Sequence, residues 1–347
     1  MQHENGNGSL KLVAIGGGTG LSTLLAGLKS FVGKQTEDAC IASLSAIVTV
    51  SDDGGSSGRL RDELQMLPPG DIRNCMIALS EDSNLLSRLF RYRFGGSGDL
   101  AGHSFGNLFL AALADVTGDF VEAVRLSSEV LASKGHIFPA TTSDVRLVAE
   151  LEDGREVHGE TQITAARARI RRLRLVPEHC LPLPEALAAI RAADLITIGP
   201  GSLYTSIIPN LLVTSVADAI GEARATKIFI GNLMTQPGET DGYGFVDHLA
   251  TIRSYAPQIH FDCAIVNDRP ITAEQARLYQ ADGAFQVLAR NDDELSSLDS
   301  SVEIVRADLL DEGEMVRHHS ERLARVVISS AAKRLPAFAP AELLTAN

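Results

Sequence analysis

The chain has 347 residues, of which 45% are hydrophobic and 22% charged, and its formal net charge is −13. This length and composition are typical of a globular protein with one large or two modest domains, and no apolar run approaches the roughly 18 residues that a membrane span needs. The negative charge argues against broad binding to nucleic acid or anionic membranes, which requires clustered positive charge.

Three further features of composition bear on the compartment and on binding. Residues Met1 to Ser9 are polar and glycine-rich, lack the basic and apolar regions of a signal peptide, and are expected to be a disordered lead. The densest basic stretch, Arg167 to Arg174, has apolar residues between its arginines, which favours a solvated strand face over a phosphate track. The cysteines form no close pairs, which indicates reduced thiols and a cytoplasmic location; they are Cys40, Cys75, Cys180 and Cys263.

The first predicted element is a short apolar strand, Leu10 to Ile15, which leads through a glycine turn into a helix. Strand, glycine turn and helix form the unit that places a phosphate at a helix N-terminus. Leu21 stands where a dinucleotide fingerprint needs its third glycine, and no Gly-Lys-Ser/Thr of a Walker A loop follows. A tight turn without a ligand is the alternative. The candidate phosphate-binding residues are Gly16, Gly17, Gly18, Thr19 and Gly20.

The next predicted strand, Ile41 to Val50, ends in a loop with two adjacent carboxylates, Asp52 and Asp53. Glycines and serines follow, and their backbone N–H groups are open to an anion. We expect the aspartates to hold a divalent metal, to bind hydroxyl groups or to orient a nucleophile; a solvated turn with an Asx cap is the alternative. Gly54 and Gly55 are further candidates for phosphate binding.

Helical segments follow this loop. Asp71 is predicted to be the N-cap of a helix that carries Asn74, a candidate nucleotide-binding residue. Two more helices are predicted, at residues 85–94 and 104–116. His103 precedes the second of these and is predicted to contact phosphate or to act as a general acid, with a hydrogen-bonded structural role as an equal alternative. Asn107 is a candidate to bind ribose or base.

The pattern changes at Ile137. Asp153-Gly154 is the strongest short signal for a hairpin, and extended segments are predicted at residues 145–151, 156–161 and 167–176. We therefore predict a β-rich excursion over residues 138–177, as a small subdomain or an oligomer surface.

Strands and helices then alternate again, with strands predicted at residues 194–198, 227–230 and 261–266 and an amphipathic helix at 319–333. This alternation predicts an α/β fold, namely a Rossmann-like, doubly wound and mostly parallel sheet. We expect a single domain over residues 10–334, with a loosely attached tail at 335–347.

The carboxyl ends of parallel strands meet at one edge of the sheet, where ligands bind. The polar loops that follow the strands near residues 15, 50, 198 and 230 are therefore predicted to converge on one nucleotide-sized cleft. The later loops add the candidates Gly199, Pro200, Gly201, Ser202, Asn232 and Thr235.

Taken together, these motifs resemble the gluconeogenesis factor family, which is related to 2-phospho-L-lactate transferase. The resemblance runs from about residue 11 to 330 and rests on residues 16–20, 50–61, 68–74, 102–107, 138–142, 198–206 and 234–242. It implies a Rossmann-like cytoplasmic protein that binds a nucleotide-sugar, UDP-N-acetylglucosamine, and acts in cell shape and wall synthesis on gluconeogenic carbon. The leading hypothesis is a regulator, expected to be a homo-oligomer, whose ligand changes its interactions with wall-synthesis proteins.

The transferase relatives imply an alternative: Mg²⁺-dependent transfer of a phospholactyl group from a guanosine diphosphate donor to a deazaflavin. Asp52 and Asp53 would then hold Mg²⁺ and act electrostatically. The segment Gly54 to Arg59 departs from the transferase pattern, which favours the regulator. A nicotinamide dehydrogenase is disfavoured by the missing third glycine.

Overall fold

The computed structural model describes residues 10–33, 41–81, 85–289 and 302–335. The predicted lead, residues 336–347 of the predicted tail and Cys40 lie outside these ranges. The strands are β1 Leu10–Gly16, β2 Ile41–Val48, β3 His136–Pro139, β4 Arg146–Leu151, β5 Glu156–His158, β6 Ile170–Val176, β7 Leu195–Ile198, β8 Thr226–Ile230, β9 Cys263–Asn267 and β10 Glu303–Ala307.

The α-helices are α1 Gly18–Leu28, α2 Gly55–Leu64, α3 Gly70–Leu79, α4 Leu85–Arg91, α5 Phe105–Thr117, α6 Phe120–Val130, α7 Glu160–Ala166, α8 Pro184–Ala192, α9 Ile208–Leu212, α10 Val216–Glu222, α11 Phe245–Tyr255, α12 Ala273–Ala281 and α13 Ser320–Ala332. A 3₁₀ turn at Lys29–Phe31 follows α1, and a π-helical turn at Leu203–Ile207 leads into α9. Within the described ranges no single helix is long and apolar enough to span a membrane, although one bent pair, Leu203–Leu212 with Val216–Glu222, meets the length and composition required.

Seven strands form a parallel sheet in the order β10-β9-β8-β7-β1-β2-β3. The chain starts at β1, steps outward to β3, returns to place β7 on the other side of β1, and then steps outward to β10. The winding therefore reverses between β1 and β7, which is the position where sheets of this kind bind ligands. The predicted fold class is confirmed.

The two faces of the sheet are both buried, as a parallel sheet with helices on both sides requires. Successive side chains of β1 point to opposite faces: Leu12 packs with α1, α3 and α13, whereas Val13 packs with the small sheet and α8 to α11. A strand that is buried on both faces reads as a continuous apolar run, which is why β1 and β2 were recognisable in the sequence.

The β-rich excursion is a three-stranded antiparallel sheet in the order β5-β4-β6. Its hairpin turns at Asp153-Gly154, as predicted, while residues 138 and 139 of the predicted range belong to β3 of the main sheet. Arg171 pairs with Glu150 at 2.9 Å and Arg174 pairs with Glu156 at 2.9 Å. These arginines therefore serve a solvated strand face with cross-strand ion pairs.

Candidate functional site

The glycine turns that follow β1 and β7 pack directly against each other. A Cβ atom on Gly20 would lie 2.5 Å from the carbonyl oxygen of Pro200, and one on Gly201 would lie 3.4 Å from the carbonyl oxygen of Gly17. The N–H of Gly201 donates to Oδ1 of Asn232, after β8, at 3.1 Å. The turns after β1, β7 and β8 thus meet at one edge of the sheet, and Gly20 is required by this close approach.

The N-terminus of α1 is occupied by a carboxylate of the protein itself. The N–H of Gly18 donates to Oδ2 of Asp71 at 2.8 Å, and a Cβ on Gly17 would lie 2.8 Å from the same oxygen. The prediction that Asp71 caps α3 is wrong, because α3 begins at Gly70 and Asp71 lies in its first turn with its side chain turned toward α1. Burial raises the pKa of Asp71 to about 6, and the nearby charge of Asp52 contributes.

The adjacent aspartates of the loop after β2 bind different partners. Oδ1 of Asp52 accepts from the N–H of Gly54 at 2.8 Å, which makes a local Asx turn. Oδ1 of Asp53 accepts from the N–H of Thr161 at 2.9 Å and from its hydroxyl at 2.7 Å. Asp53 therefore caps α7 of the small-sheet region from outside that helix, and it connects the aspartate loop to the excursion.

Removing the carboxylate of Asp53 is expected to weaken α7. Asp53→Ala should lower the free energy of unfolding by about 1 kcal/mol, the typical cost of losing a helix cap, and should speed amide hydrogen exchange in Glu160–Ala166. Asp53→Asn keeps an oxygen that accepts from Thr161, and it should lower the free energy of unfolding by less than half as much. Equal losses in the two variants, measured by urea unfolding, would show that charge rather than capping is the role of Asp53.

A buried polar network joins α2, α3 and α5. The hydroxyl of Ser56 contacts Nδ1 of His103 at 3.0 Å and accepts from Nδ2 of Asn107 at 3.0 Å. Arg73 donates to Oδ1 of Asn107 at 3.1 Å and to Oδ1 of Asn74 at 2.7 Å. Burial, with the charge of Arg59 adding to it, lowers the pKa of His103. His103 thus holds the hydroxyl of Ser56 at the start of α2.

This network borders a cavity of about 260 Å³, which we name the aspartate-loop cavity. It brings together five of the predicted site residues, and Asp71, Arg73 and Arg93 also line it. The predicted residues are Asp52, Gly54, Gly55, Asn74 and Asn107.

A larger cavity of about 480 Å³ lies between the first turns of α1, the face of α3 and the segment before α13, and we name it the α1–α13 cavity. Thr19 and Asn74 are the predicted residues that line it, and Asn74 borders both cavities. Arg91 and Arg317 supply positive charge to its wall. Sequence reasoning missed both arginines, because neither lies in a glycine-rich motif or near the other in the chain.

The remaining predicted residues lie around the turn after β7. The hydroxyl of Ser202 accepts from Nε2 of Gln236 at 2.5 Å. The hydroxyl of Thr235 accepts from the N–H of Phe285 at 2.8 Å, so this side chain holds the segment after α12 in place. Neither residue lines the two cavities described above.

Glu160, at the start of α7, is a second titratable group that sequence reasoning missed. Burial raises its pKa to about 9, and the charges of Asp52 and Asp71 add to the effect. Burial likewise raises the pKa of Glu239 to about 7. Within residues 10–33, 41–81, 85–289 and 302–335, no three His, Cys, Asp or Glu side chains are grouped to hold a metal ion by themselves.

His318, on the wall of the α1–α13 cavity, makes the stability of the protein depend on pH. Its Nε2 is buried without a partner, and burial lowers its pKa to about 4. An unfolded histidine titrates near about 6.5, so between pH 6.5 and pH 4 the unfolded chain takes up a proton that the folded chain does not. The free energy of unfolding should therefore fall as the pH falls through this window, by up to about 3 kcal/mol.

His318→Gln should remove this part of the pH dependence, whereas His260→Gln, at an exposed position, should leave it in place. Urea unfolding at pH 7, 6, 5 and 4.5 measures both slopes. A His318→Gln protein with the full slope of the parent would contradict the assignment.

Comparison with known proteins agrees with this architecture. The family model of 2-phospho-L-lactate transferase CofD matches residues 12–310. A relative from Nostoc is 47% identical over 92% of this chain and 68% of its own length. The Bacillus subtilis protein named gluconeogenesis factor is 45% identical over 92% of this chain and 97% of its own.

The similarity extends to three dimensions. A crystal structure of a UPF0052 family member from Bacillus halodurans superposes with a TM-score of 0.86 at 43% identity, covering 92% of this chain and 99% of that one. The residues that the family model matches, 12–310, include both glycine turns, the aspartate loop and the wall of the smaller cavity. The chain therefore belongs to the 2-phospho-L-lactate transferase CofD family, among the relatives named gluconeogenesis factors.

Proposed function

We propose that the protein is a regulator that binds a nucleotide-sugar, UDP-N-acetylglucosamine, in the α1–α13 cavity. The observation that carries this proposal is the composition of the cavity wall at the start of α1. The hydroxyl group of Thr19 and the guanidinium groups of Arg91 and Arg317 are donors on this wall. The hydroxyls of Ser22 and Thr23 donate to the carbonyl oxygen of Thr19 at 3.0 and 2.8 Å, so their oxygens serve a ligand as acceptors. Hydroxyl, amide and arginine donors on one wall suit a sugar joined to a diphosphate.

The position of the cavity supports the same ligand. It opens beside the N-terminus of α1, at the carboxyl edge of the sheet and next to its switch point. The carboxylate of Asp71 accepts from the N–H of Gly18, so this amide is not available to a ligand. The diphosphate is therefore bound by the arginines more than by the glycine turn. An acidic protein thereby binds an acidic ligand with local positive charge.

Thermal unfolding tests the proposal, because a ligand that binds the folded state raises the melting temperature. UDP-N-acetylglucosamine should raise it, whereas guanosine diphosphate and NAD should not. Arg317→Gln should weaken the nucleotide-sugar by about tenfold, as expected for a lost charge-assisted hydrogen bond. Arg325→Gln is the matched control, since Arg325 is exposed and lines neither cavity. Equal shifts in the two variants would refute the site.

The name gluconeogenesis factor that the relatives carry and the resemblance of the motifs support a proposal for the biological role. We propose a cytoplasmic homo-oligomer whose bound nucleotide-sugar changes its contacts with wall-synthesis proteins, and which supports cell shape on gluconeogenic carbon. Cys75, Cys180 and Cys263 are free and buried, which agrees with a reducing compartment. A gene carrying Arg317→Gln should fail to restore cell shape on gluconeogenic carbon in a deletion strain, while one carrying Arg325→Gln should restore it.

A second candidate function, a Mg²⁺-dependent transferase of the phospholactate type, is favoured by the proximity of Asp52 and Asp71. Mg²⁺ is commonly held by one or two carboxylates together with substrate phosphates, and this pair fits that pattern better than Asp52 with Asp53, whose carboxylate caps α7. Asp52 and Asp71 would hold the ion, which would neutralise charge on the phosphates of the donor.

Turnover separates the two candidates. With the guanylated phospholactate donor and a deazaflavin acceptor, a transferase should form product with Mg²⁺ and not with EDTA, and Asp52→Asn should abolish the reaction. A regulator should form none, while keeping the thermal shift with UDP-N-acetylglucosamine.

A further inference from the structure

We propose that the groove between α12 and the hairpin before α13 is a docking site for a basic, partly apolar segment of a partner protein. The hairpin is closed by the N–H of Asp311, which donates to the carbonyl oxygen of Arg317 at 2.8 Å. Residues 310–314 form one wall of the groove and α12 the other, and about 480 Å³ lies between them. We name it the α12 groove. The proposal rests on the proposed function only in that a regulator needs a surface for its partner.

Helix α12 has no buried side chain. All nine residues of Ala273–Ala281 are exposed or half-buried, whereas α13 buries six residues of its apolar face. A helix of nine residues is unstable in water by itself, and packing of an apolar face normally stabilises such a helix in a protein. The exposure of α12 therefore indicates a face that a partner covers.

Polar contacts hold α12 against the hairpin in place of apolar packing. Nε2 of Gln275 donates to the carbonyl oxygens of Gly313 at 3.1 Å and Glu314 at 3.5 Å. The hydroxyl of Tyr279 accepts from the N–H of Val316 at 3.0 Å. The two walls are thus fixed relative to each other before a partner arrives, which lowers the entropic cost of binding.

The charge of the groove is negative. Three carboxylates on its wall have no ion-pair partner among the described residues, namely Glu274, Asp311 and Glu314. The other two charged groups of the wall are neutralised by neighbours: Glu312 pairs with Arg322 at 2.9 Å, and Arg269 pairs with Asp308 at 3.2 Å. Uncompensated carboxylates around one groove favour the lysine or arginine side chains of a partner.

Apolar groups lie between these carboxylates. Leu278 is 61% exposed, Leu310 is buried, and both line the groove together with Pro270. An interface of this kind combines an apolar centre with a charged rim. A segment with apolar residues between basic ones therefore fits the groove better than a purely basic segment or an inorganic cation does.

Charge also argues against occupants from the chain itself. Residues 290–301 carry four acidic side chains and one basic side chain, and residues 336–347 carry one acidic side chain and no basic one. Contact between the identical grooves of two copies would bring like charges together, which is unfavourable. A basic segment of a different protein is the occupant that the charges favour.

Fluorescence anisotropy of a labelled peptide tests the proposal. The probe has about twelve residues, with leucines on one face of a helix and lysines on the other. We expect it to bind the full chain without a nucleotide-sugar, so failure of the nucleotide-sugar site would not affect the result. Replacing its leucines by serine, or its lysines by glutamate, should weaken binding at least about tenfold. Absence of binding at about 1 mM, or equal binding of the serine peptide, would overturn the proposal.

Two double variants with the same change of net charge locate the binding. Glu274→Gln with Glu314→Gln removes two unpaired carboxylates of the groove and should weaken the peptide by about tenfold. Asp115→Asn with Glu222→Gln removes the same charge from exposed positions on α5 and α10, outside the groove, and should leave binding unchanged. Equal weakening would show that the net charge of −13 attracts the peptide, and it would overturn the proposal.

Two further measurements identify the surface and its occupant. In the parent protein, the peptide should slow amide hydrogen exchange in Ala273–Ala281 and leave Glu160–Ala166 unchanged; protection of other regions without α12 would overturn the proposal. Leu278→Asp should weaken the peptide and leave the oligomeric state, measured by sedimentation, unchanged. A lower oligomeric state in this variant would assign the groove to a second copy of the chain and would also overturn the proposal.

Discussion

Replacing Gly20 by alanine is expected to lower the free energy of unfolding by about 3 kcal/mol, at the upper end of the cost of overpacking a filled site. The new Cβ would lie 2.5 Å from the carbonyl oxygen of Pro200 and 3.0 Å from the amide nitrogen of Gly201. Both are backbone atoms, so no side-chain rotation relieves the clash, and the two turns must separate. Helix propensity alone would favour alanine by about 1 kcal/mol, so the sign of the change distinguishes the two effects.

Gly95→Ala is the matched control. A Cβ at Gly95 meets no atom within 4 Å, so its effect should stay within about 0.5 kcal/mol. Guanidinium unfolding of the three proteins measures the difference. A Gly20→Ala protein as stable as the parent would show that the turns after β1 and β7 are not in contact.

Removing the carboxylate of Asp144 is expected to cost somewhat less, about 2 kcal/mol, because the side chain of Asp144 is itself 65% exposed although that of Arg61 is buried. Arg61 is 2% exposed and its guanidinium pairs with Asp144, while it also donates to the carbonyl oxygen of Val145. Nη1 of Arg61 already has no partner. Asp144→Ala therefore leaves a buried cation with a single carbonyl oxygen, and this contact joins α2 to the small sheet.

A nearby ion pair provides the control. Arg146 and Asp62 form a pair whose side chains are 43% and 65% exposed, so Asp62→Ala should cost no more than about 1 kcal/mol. The double variant Arg61→Met with Asp144→Ala should recover much of the lost stability, since it removes the unpaired charge. Similar losses for Asp144→Ala and Asp62→Ala would contradict the burial of Arg61.

The sequence was sufficient to predict the convergence of the loops. Continuous apolar runs identified the parallel strands, and parallel strands place their carboxyl ends along one edge. The rule does not give the strand order, so the contacts among Gly17, Gly20 and Gly201 depend also on β1 and β7 being neighbours in the sheet. The hairpin at Asp153-Gly154 was predictable for the local reason that its turn type selects those residues.

The pairing of the aspartates was not predictable in the same way. Asp71 binds Gly18 from 53 residues away, and Asp53 binds Thr161 from 108 residues away, and no local pattern marks either contact. Adjacency of Asp52 and Asp53 suggested one shared task, but successive side chains in extended backbone point in opposite directions. The arginines of the α1–α13 cavity lie in segments without glycine motifs, so only the packing of α13 against α1 brings Arg317 to the site.

The most direct measurement is a crystal structure of the protein with UDP-N-acetylglucosamine. We expect the diphosphate to lie within hydrogen-bonding distance of Arg317 and Thr19. A nucleotide bound instead against the arginines of β6, on the small sheet, or anywhere without contact to α1, would contradict it.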